Sequence, residues 1–195
     1  VGEAATHGPG DSRGRNKEGL MSFVDYIKKG WEVVQLKVEA IKELAADEKG
    51  IGPAIGILAI GGLASGIGFF NPVSVIGFPI FWVVGGFLAV AIMHFVATTF
   101  FGGKGSFVGL AVPLFCASII SCVGIVPFLG PMFLTFLAGL WMIVVSVVCV
   151  ENVYGVDRGK AIVVVAVPVL LGLIVFLTLG AVLAAILVAA GVLSS

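Results

Sequence analysis

The sequence predicts an all-α fold: a polytopic membrane bundle of five transmembrane helices preceded by an amphipathic cytosolic helix. Three observations predict it. Of the 195 residues, 59% are hydrophobic and 11% charged, and the mean hydropathy is +1.20, which excludes an ordinary soluble domain. Seventeen of the 22 charged side chains precede Gly50, and only Lys104, Glu151, Asp157, Arg158 and Lys160 follow it. The apolar remainder is cut by short turn signals into five runs, each able to supply the roughly 20 helical residues that a bilayer core requires.

Residues 1–20 carry charge and glycine with little to bury, the composition of a mobile tail. Residues 21–50 form the head. Ser22 and Asp25 make an S-x-x-D capping box, and the spacing predicts one helix over 22–48. Val24, Ile27, Trp31, Val34, Val38 and Ile41 follow a 4-3 spacing that continues Leu20 and leads to Ala45, so one apolar stripe faces the membrane surface, the bundle or a partner helix. Lys28 and Glu32 form an i,i+4 pair on its polar side. Gly30 lowers helix propensity by about 0.8–1 kcal/mol relative to alanine.

Residues 51–195 make up the five-span domain. The first run is Ile51 to Phe70, closed by Asn71-Pro72. The second extends from about Val73 to Phe101 and ends at Gly102-Gly103-Lys104-Gly105. Phe107 to Val126 is the third, followed by Pro127, Gly130 and Pro131, and the fourth runs from Pro131 to Val150 before Glu151-Asn152. The fifth, Ala161 to Leu193, is about 50 Å long as a helix, so it tilts, kinks near Pro168 or protrudes. With five spans, all 11 Lys and Arg residues fall on one side, which places the N-terminus in the cytoplasm and the C-terminus outside. Gly52/Gly56, Gly61/Ser65 and Gly62/Gly66 in the first span, and Gly180/Ala184 with Ala181/Ala185/Ala189 in the fifth, are small-xxx-small pairs for helix packing or homo-oligomer contact.

Few side chains carry chemistry. The 11 basic residues balance 11 acidic ones, which argues against nucleic acid as a partner and leaves the lipid bilayer and a protein partner. Cys116, Cys122 and Cys149 lie in apolar segments without metal or disulfide spacing and read as small core residues. His94 is the one ionisable side chain, cysteines aside, well inside a span, about 12 Å from the head-side boundary, with Thr98 on its own helix face or a carbonyl freed by a proline as the expected partner. Glu151, Asn152, Tyr154, Asp157, Arg158 and Lys160 form a polar cluster between the last two spans. Gly-Gly-Lys-Gly-Ser at 102–106 lacks the spacing of a phosphate loop. No catalytic motif, metal set or cofactor signature is present, so no enzymatic activity and no cofactor are expected.

Read together, His94, the run Gly102-Gly103-Lys104-Gly105-Ser106-Phe107, Pro113, Val126-Pro127-Phe128-Leu129-Gly130, Trp141 and Glu151-Asn152-Val153-Tyr154-Gly155-Val156-Asp157-Arg158-Gly159-Lys160-Ala161 resemble the Yip domain family, the Ypt/Rab-interacting five-span membrane proteins. The last run is similar to that family's E-x-x-H-G-[LV]-S-x-x-[KR]-A pattern, with Tyr154 where histidine is common. Pro113 lacks the tyrosine often found a few residues before it. The resemblance adds Lys104 and Trp141 to the candidate functional residues. It implies a five-helix membrane protein with a cytosolic N-terminus and, in eukaryotes, roles in vesicle traffic, membrane shaping and Rab GTPase binding. A non-enzymatic scaffold or adaptor is the expected function. The alternative is a transporter or channel-forming bundle for a small solute, ion or lipid, built on His94 and the proline-broken helices.

Overall fold

The computed structural model describes residues 21–127, 129 and 133–189, and every regular element among them is helical. The expected tail 1–20, Leu20 of the stripe, the Gly130-Pro131 turn and the end of the fifth span at 190–195 lie outside the described residues.

The head forms two helices instead of the single one expected, α1 (Phe23–Val34) and α2 (Val38–Ala46). The capping box forms as predicted: Ser22 Oγ accepts the Asp25 N–H at 3.3 Å, and the Asp25 carboxylate accepts the Ser22 N–H at 3.0 Å. α1 ends because the chain turns at Leu36, whose φ of 62° lies in the left-handed region, at a cost of about 1–2 kcal/mol for a residue with a Cβ. Tertiary contacts offset it. Leu36 packs against the buried core and shares a cavity wall with Ile143, Val147 and Val148, and the Trp141 indole N–H donates to the Val34 carbonyl at 2.9 Å, satisfying one of the orphan acceptors at a helix C-terminus.

Folding the head back changes its charge pairing. Lys29 meets Glu43 at 2.6 Å and Glu32 at 3.5 Å, and Lys37 meets Glu32 at 3.5 Å. The expected Lys28–Glu32 pair does not form. In one straight helix Lys29 and Glu43 would stand about 21 Å apart.

The expected stripe is divided. Val34 and Ile41 are buried, Ile27 and Val38 are half-buried, and Val24 and Trp31 are exposed. The buried face of the head is Tyr26, Gly30, Val33 and Val34 of α1 with Ala40, Ile41 and Leu44 of α2. Gly30 sets that rotation, because a Cβ there would lie 2.3 Å from the Cys116 carbonyl oxygen. Trp31, about 100° further round the helix, faces away.

The five spans are α3 (Ile51–Gly68), α4 (Pro72–Phe101), α5 (Phe107–Ala117) continued by a 3-10 segment (Ser118–Ile125), α6 (Thr135–Tyr154) and α7 (Arg158–Ala189). All five are long and apolar enough to cross a bilayer, and the protein is an integral, multi-pass membrane protein. Asn71 caps α4 through its side chain, with Pro72 in the first turn, where proline's missing N–H costs nothing. α7 begins at Arg158 and not at the expected Ala161, and two further spans differ from expectation. α6 continues through Glu151-Asn152 to Tyr154, and the third span tightens into 3-10 geometry after Ala117. α7 passes through Pro168 unbroken.

α5 is the axis of the molecule. Every residue from Gly109 to Ala117 is buried, and one core unites Tyr26, Val33, Ile41 and Leu44 of the head with Leu110, Val112 and Phe115 of α5 and Val150 of α6. Gly61, Gly62 and Gly66 of α3 do pack helices together, whereas Gly52 of the expected Gly52/Gly56 pair is exposed with nothing within 4 Å of an added Cβ: a Cβ on Gly61 would lie 2.9 Å from the Ser118 carbonyl, on Gly62 2.8 Å from Pro79 Cα, and on Gly66 2.5 Å from the Ser74 carbonyl. Those of α7 are exposed, and nothing lies within 4 Å of a Cβ built on Gly180. Among the described side chains of α7, those buried lie near its start, at Ala161, Val164 and Val165. Cys116 and Cys149 are buried and Cys122 half-buried, the core role expected of them.

Candidate functional site

Two loops meet at the head end of the bundle. α4 stops at Gly102 and α6 at Gly155, both with φ near 65°, a left-handed cap that glycine adopts without a Cβ penalty. Beyond Gly102, the Lys104 N–H donates to the Tyr154 carbonyl at 3.3 Å. Gly105 lies so close to the end of α6 that an added Cβ would be 2.7 Å from the Val153 carbonyl oxygen. Ser106 then caps α5, its Oγ accepting the Gly109 N–H at 2.9 Å. Beyond Gly155, Asp157 Oδ1 accepts the Lys160 N–H at 3.1 Å and starts α7.

His94 Nδ1 lies 2.7 Å from the Tyr154 hydroxyl, which is 3.5 Å from the Ser106 carbonyl. The direction of the shorter bond follows the imidazole tautomer: Nδ1 accepts from the hydroxyl, or donates to it while the hydroxyl donates to the Ser106 carbonyl. Thr98 is not the ring's partner: its hydroxyl donates to the His94 carbonyl at 2.8 Å, the i−4 back-bonding usual for a helical threonine. Phe107 meets the His94 ring edge-on at 6.1 Å. One tyrosine hydroxyl thus joins α4, α6 and the loop before α5.

Above this bond lies a polar pocket of about 480 Å³, lined by Lys104, Asn152, Tyr154, Asp157 and Lys160 together with Phe101. Five of the expected candidates therefore line one cavity, with His94 tied to it through Tyr154. Lys160 pairs with Asp157 at 3.2 Å, whereas Lys104 has no ion pair among the described residues. The Lys160 backbone N–H, then its ammonium group, holds the exposed Asp157 carboxyl below its ordinary pKa. Glu151 and Arg158 pair with each other at 3.2 Å outside this lining. Asn152 Nδ2 donates to the Val148 carbonyl at 2.9 Å. Trp141, on α6, stands apart from the pocket, its indole bonded to the end of α1.

A second polar junction, missed by reading the stripe alone, fastens the head. The Tyr26 hydroxyl donates to Asp47 Oδ2, and Tyr26 packs against Gly50 at the joint of α2 and α3. Burial, then the Asp47 carboxylate, pushes the Tyr26 hydroxyl up to about 12. The chain holds two tyrosines, and both hydroxyls tie segments distant in sequence; that scarcity was the available signal. Glu43, then Glu32, raises the Lys29 ammonium above its ordinary value, while the Ser22 cap lowers Asp25.

Among the described residues no group of histidine, cysteine and carboxylate side chains is arranged to hold a metal. No curated protein and no solved structure matches the chain. The Yip1 domain family does match it, over residues 19–180, a stretch that takes in both head helices, the His94–Tyr154 bond, the loop pocket and α7 as far as Gly180. With the head, the first four spans and most of the fifth inside that match, the chain belongs to the Yip1 domain family.

Proposed function

We propose that the protein is a non-enzymatic membrane scaffold that holds a charged platform at the cytoplasmic face of the bilayer. The observation that carries this reading is the head's seat on the bundle. α1 and α2 share a core with α5, so the exposed Lys28, Glu39 and Lys42 occupy fixed positions and are not carried on a tether. A fixed constellation of charges suits recognition of a protein partner, because less ordering entropy is lost on binding. Exposed Phe23, Val24 and Trp31 suit the lipid–water boundary, where tryptophan is favoured. The lysine and arginine distribution supports a cytoplasmic head.

The polar groups within the spans also favour a scaffold over a transporter. Ser65, Thr98, Ser118 and Ser146 each donate to a carbonyl of the same or the adjoining helical turn, and His94 is engaged by Tyr154. Two experiments test the reading. Cysteines placed singly at Asn71 and at Lys42 should be labelled from outside and inside respectively. A photo-crosslinker at Lys28 or Lys42 should capture one protein reproducibly in native membranes, and Glu39→Lys should abolish the adduct. Labelling with the opposite sidedness, or solute flux in reconstituted vesicles that His94→Gln abolishes, overturns it.

A further inference from the structure

The pocket above Tyr154 does not end in protein. Phe101 belongs equally to its wall and to the wall of an apolar groove of about 840 Å³ that runs between α4 and α7. Ala91, Phe95 and Phe101 line one side of that groove, and Val163, Val167 and Leu171 the other. On α7 these positions continue a line begun by Lys160, since residues 160, 163, 167 and 171 follow the three- and four-residue steps of one helix face. A hydrocarbon-lined trough therefore opens directly beneath a site bearing two ammonium groups.

The geometry points to a binding site for one phospholipid with an anionic headgroup, its acyl chain in the α4–α7 groove and its phosphate between Lys104 and Lys160. Charge complementarity selects this occupant. Lys104 has no ion pair among the described residues, and Lys160 shares its charge with Asp157 alone, so the pocket has a net charge of +1 that a zwitterionic headgroup leaves unbalanced. The first turn of α7 adds the positive end of its dipole. Basic pockets between transmembrane helices are established receptors for acidic headgroups. The groove explains why the ligand is a lipid and not a free phosphate: it would remain bare beside a headgroup alone. This site is independent of the scaffold reading, since it uses neither the head platform nor a protein partner.

Native mass spectrometry of the full chain in detergent, titrated with palmitoyl-oleoyl phosphatidylglycerol or the phosphatidylcholine of the same chains, tests it. The wild type should retain one phosphatidylglycerol and prefer it over phosphatidylcholine. Lys104→Gln/Lys160→Gln should weaken phosphatidylglycerol binding by about 30-fold, the effect of two surface-located basic side chains. Val163→Trp and Leu171→Trp, at exposed positions where the larger side chain displaces no core residue, should obstruct the groove and weaken it with both lysines intact. Lys42→Gln, on the head, should leave it unchanged. Equal retention of the two lipids by the wild type overturns the assignment, as does binding that survives the double lysine change. Loss with the lysine variant but wild-type binding in both tryptophan variants, with glycerol phosphate competing, would show a soluble phosphate site and overturn the lipid.

Discussion

Replacing Gly30 with alanine should destabilise the protein, although alanine is the better helix former. A Cβ at this position would lie 2.3 Å from the Cys116 carbonyl oxygen and 2.7 Å from its carbonyl carbon, where ordinary contact begins at 3.4 Å. The obstruction is backbone, so no rotamer change relieves it; α1 must lift by about 1 Å from α5 or twist. Either movement loosens Tyr26 and Val33, which flank Gly30 on the same buried face. Overpacking of this kind costs about 1–3 kcal/mol, and a backbone obstacle belongs to the upper part of that range. Against it stands the roughly 0.8–1 kcal/mol of helix propensity that alanine contributes, leaving a net loss of about 1–2 kcal/mol. Unfolding of the purified chain by dodecyl sulfate titration in mixed micelles measures it, with trypsin cleavage after Lys28 and Lys29 reporting the head directly. Gly52→Ala is the control: nothing lies within 4 Å of a Cβ there, so the variant should be neutral or more stable by up to about 1 kcal/mol. A Gly30→Ala protein as stable as the wild type, with unchanged cleavage, would refute the close seat of α1 on α5.

Trp141→Phe removes the indole N–H from the Val34 carbonyl and should cost about 0.5–1.5 kcal/mol, read in the same titration. Tyr154→Phe and His94→Gln should each cost about 0.6–1.7 kcal/mol, the range for hydrogen bonds between membrane helices, and the double variant should cost less than their sum because both break one bond. Asp157 titrates below its ordinary value of 3.8 in the folded chain, so its cap contributes stability at neutral pH that is lost as pH falls below that value. Asp157→Asn should flatten this acid dependence in a melting series from pH 6 to about pH 3.

The spans were legible because a bilayer core imposes a length and lysine is expensive inside it; Asn71-Pro72 and Gly102-Gly103 punctuate them unambiguously. The loop pocket was partly legible. Lys104, Asn152, Tyr154, Asp157 and Lys160 stood out as rare polar residues, but no local pattern states that residue 94 meets residue 154. That bond depends on two helices ending side by side at Gly102 and Gly155. The break at Gln35–Lys37 was illegible, since the stretch holds neither glycine nor proline and the groups that receive it, the buried core around Leu36 and the Trp141 indole at Val34, are distant in sequence. The stripe misled for a related reason: Val24, Ile27 and Trp31 have the right period, yet α1 is apolar on two faces, and packing chose the one with the glycine.

The dependence of the head on α5 has a consequence in time. Gly30 and Cys116 are 86 residues apart in the chain, so at roughly 5–20 residues per second α1 leaves the ribosome about 4–17 s before its seat is made. Throughout that interval Gly30 lacks the α5 backbone that it meets in the finished fold. An amphipathic helix in that position rests on the bilayer interface, where its two apolar faces serve in succession: one holds the nascent head at the membrane, and the other waits for the third span to arrive. One stage of assembly is then a lateral transfer of α1, from lipid onto a helix made seconds later.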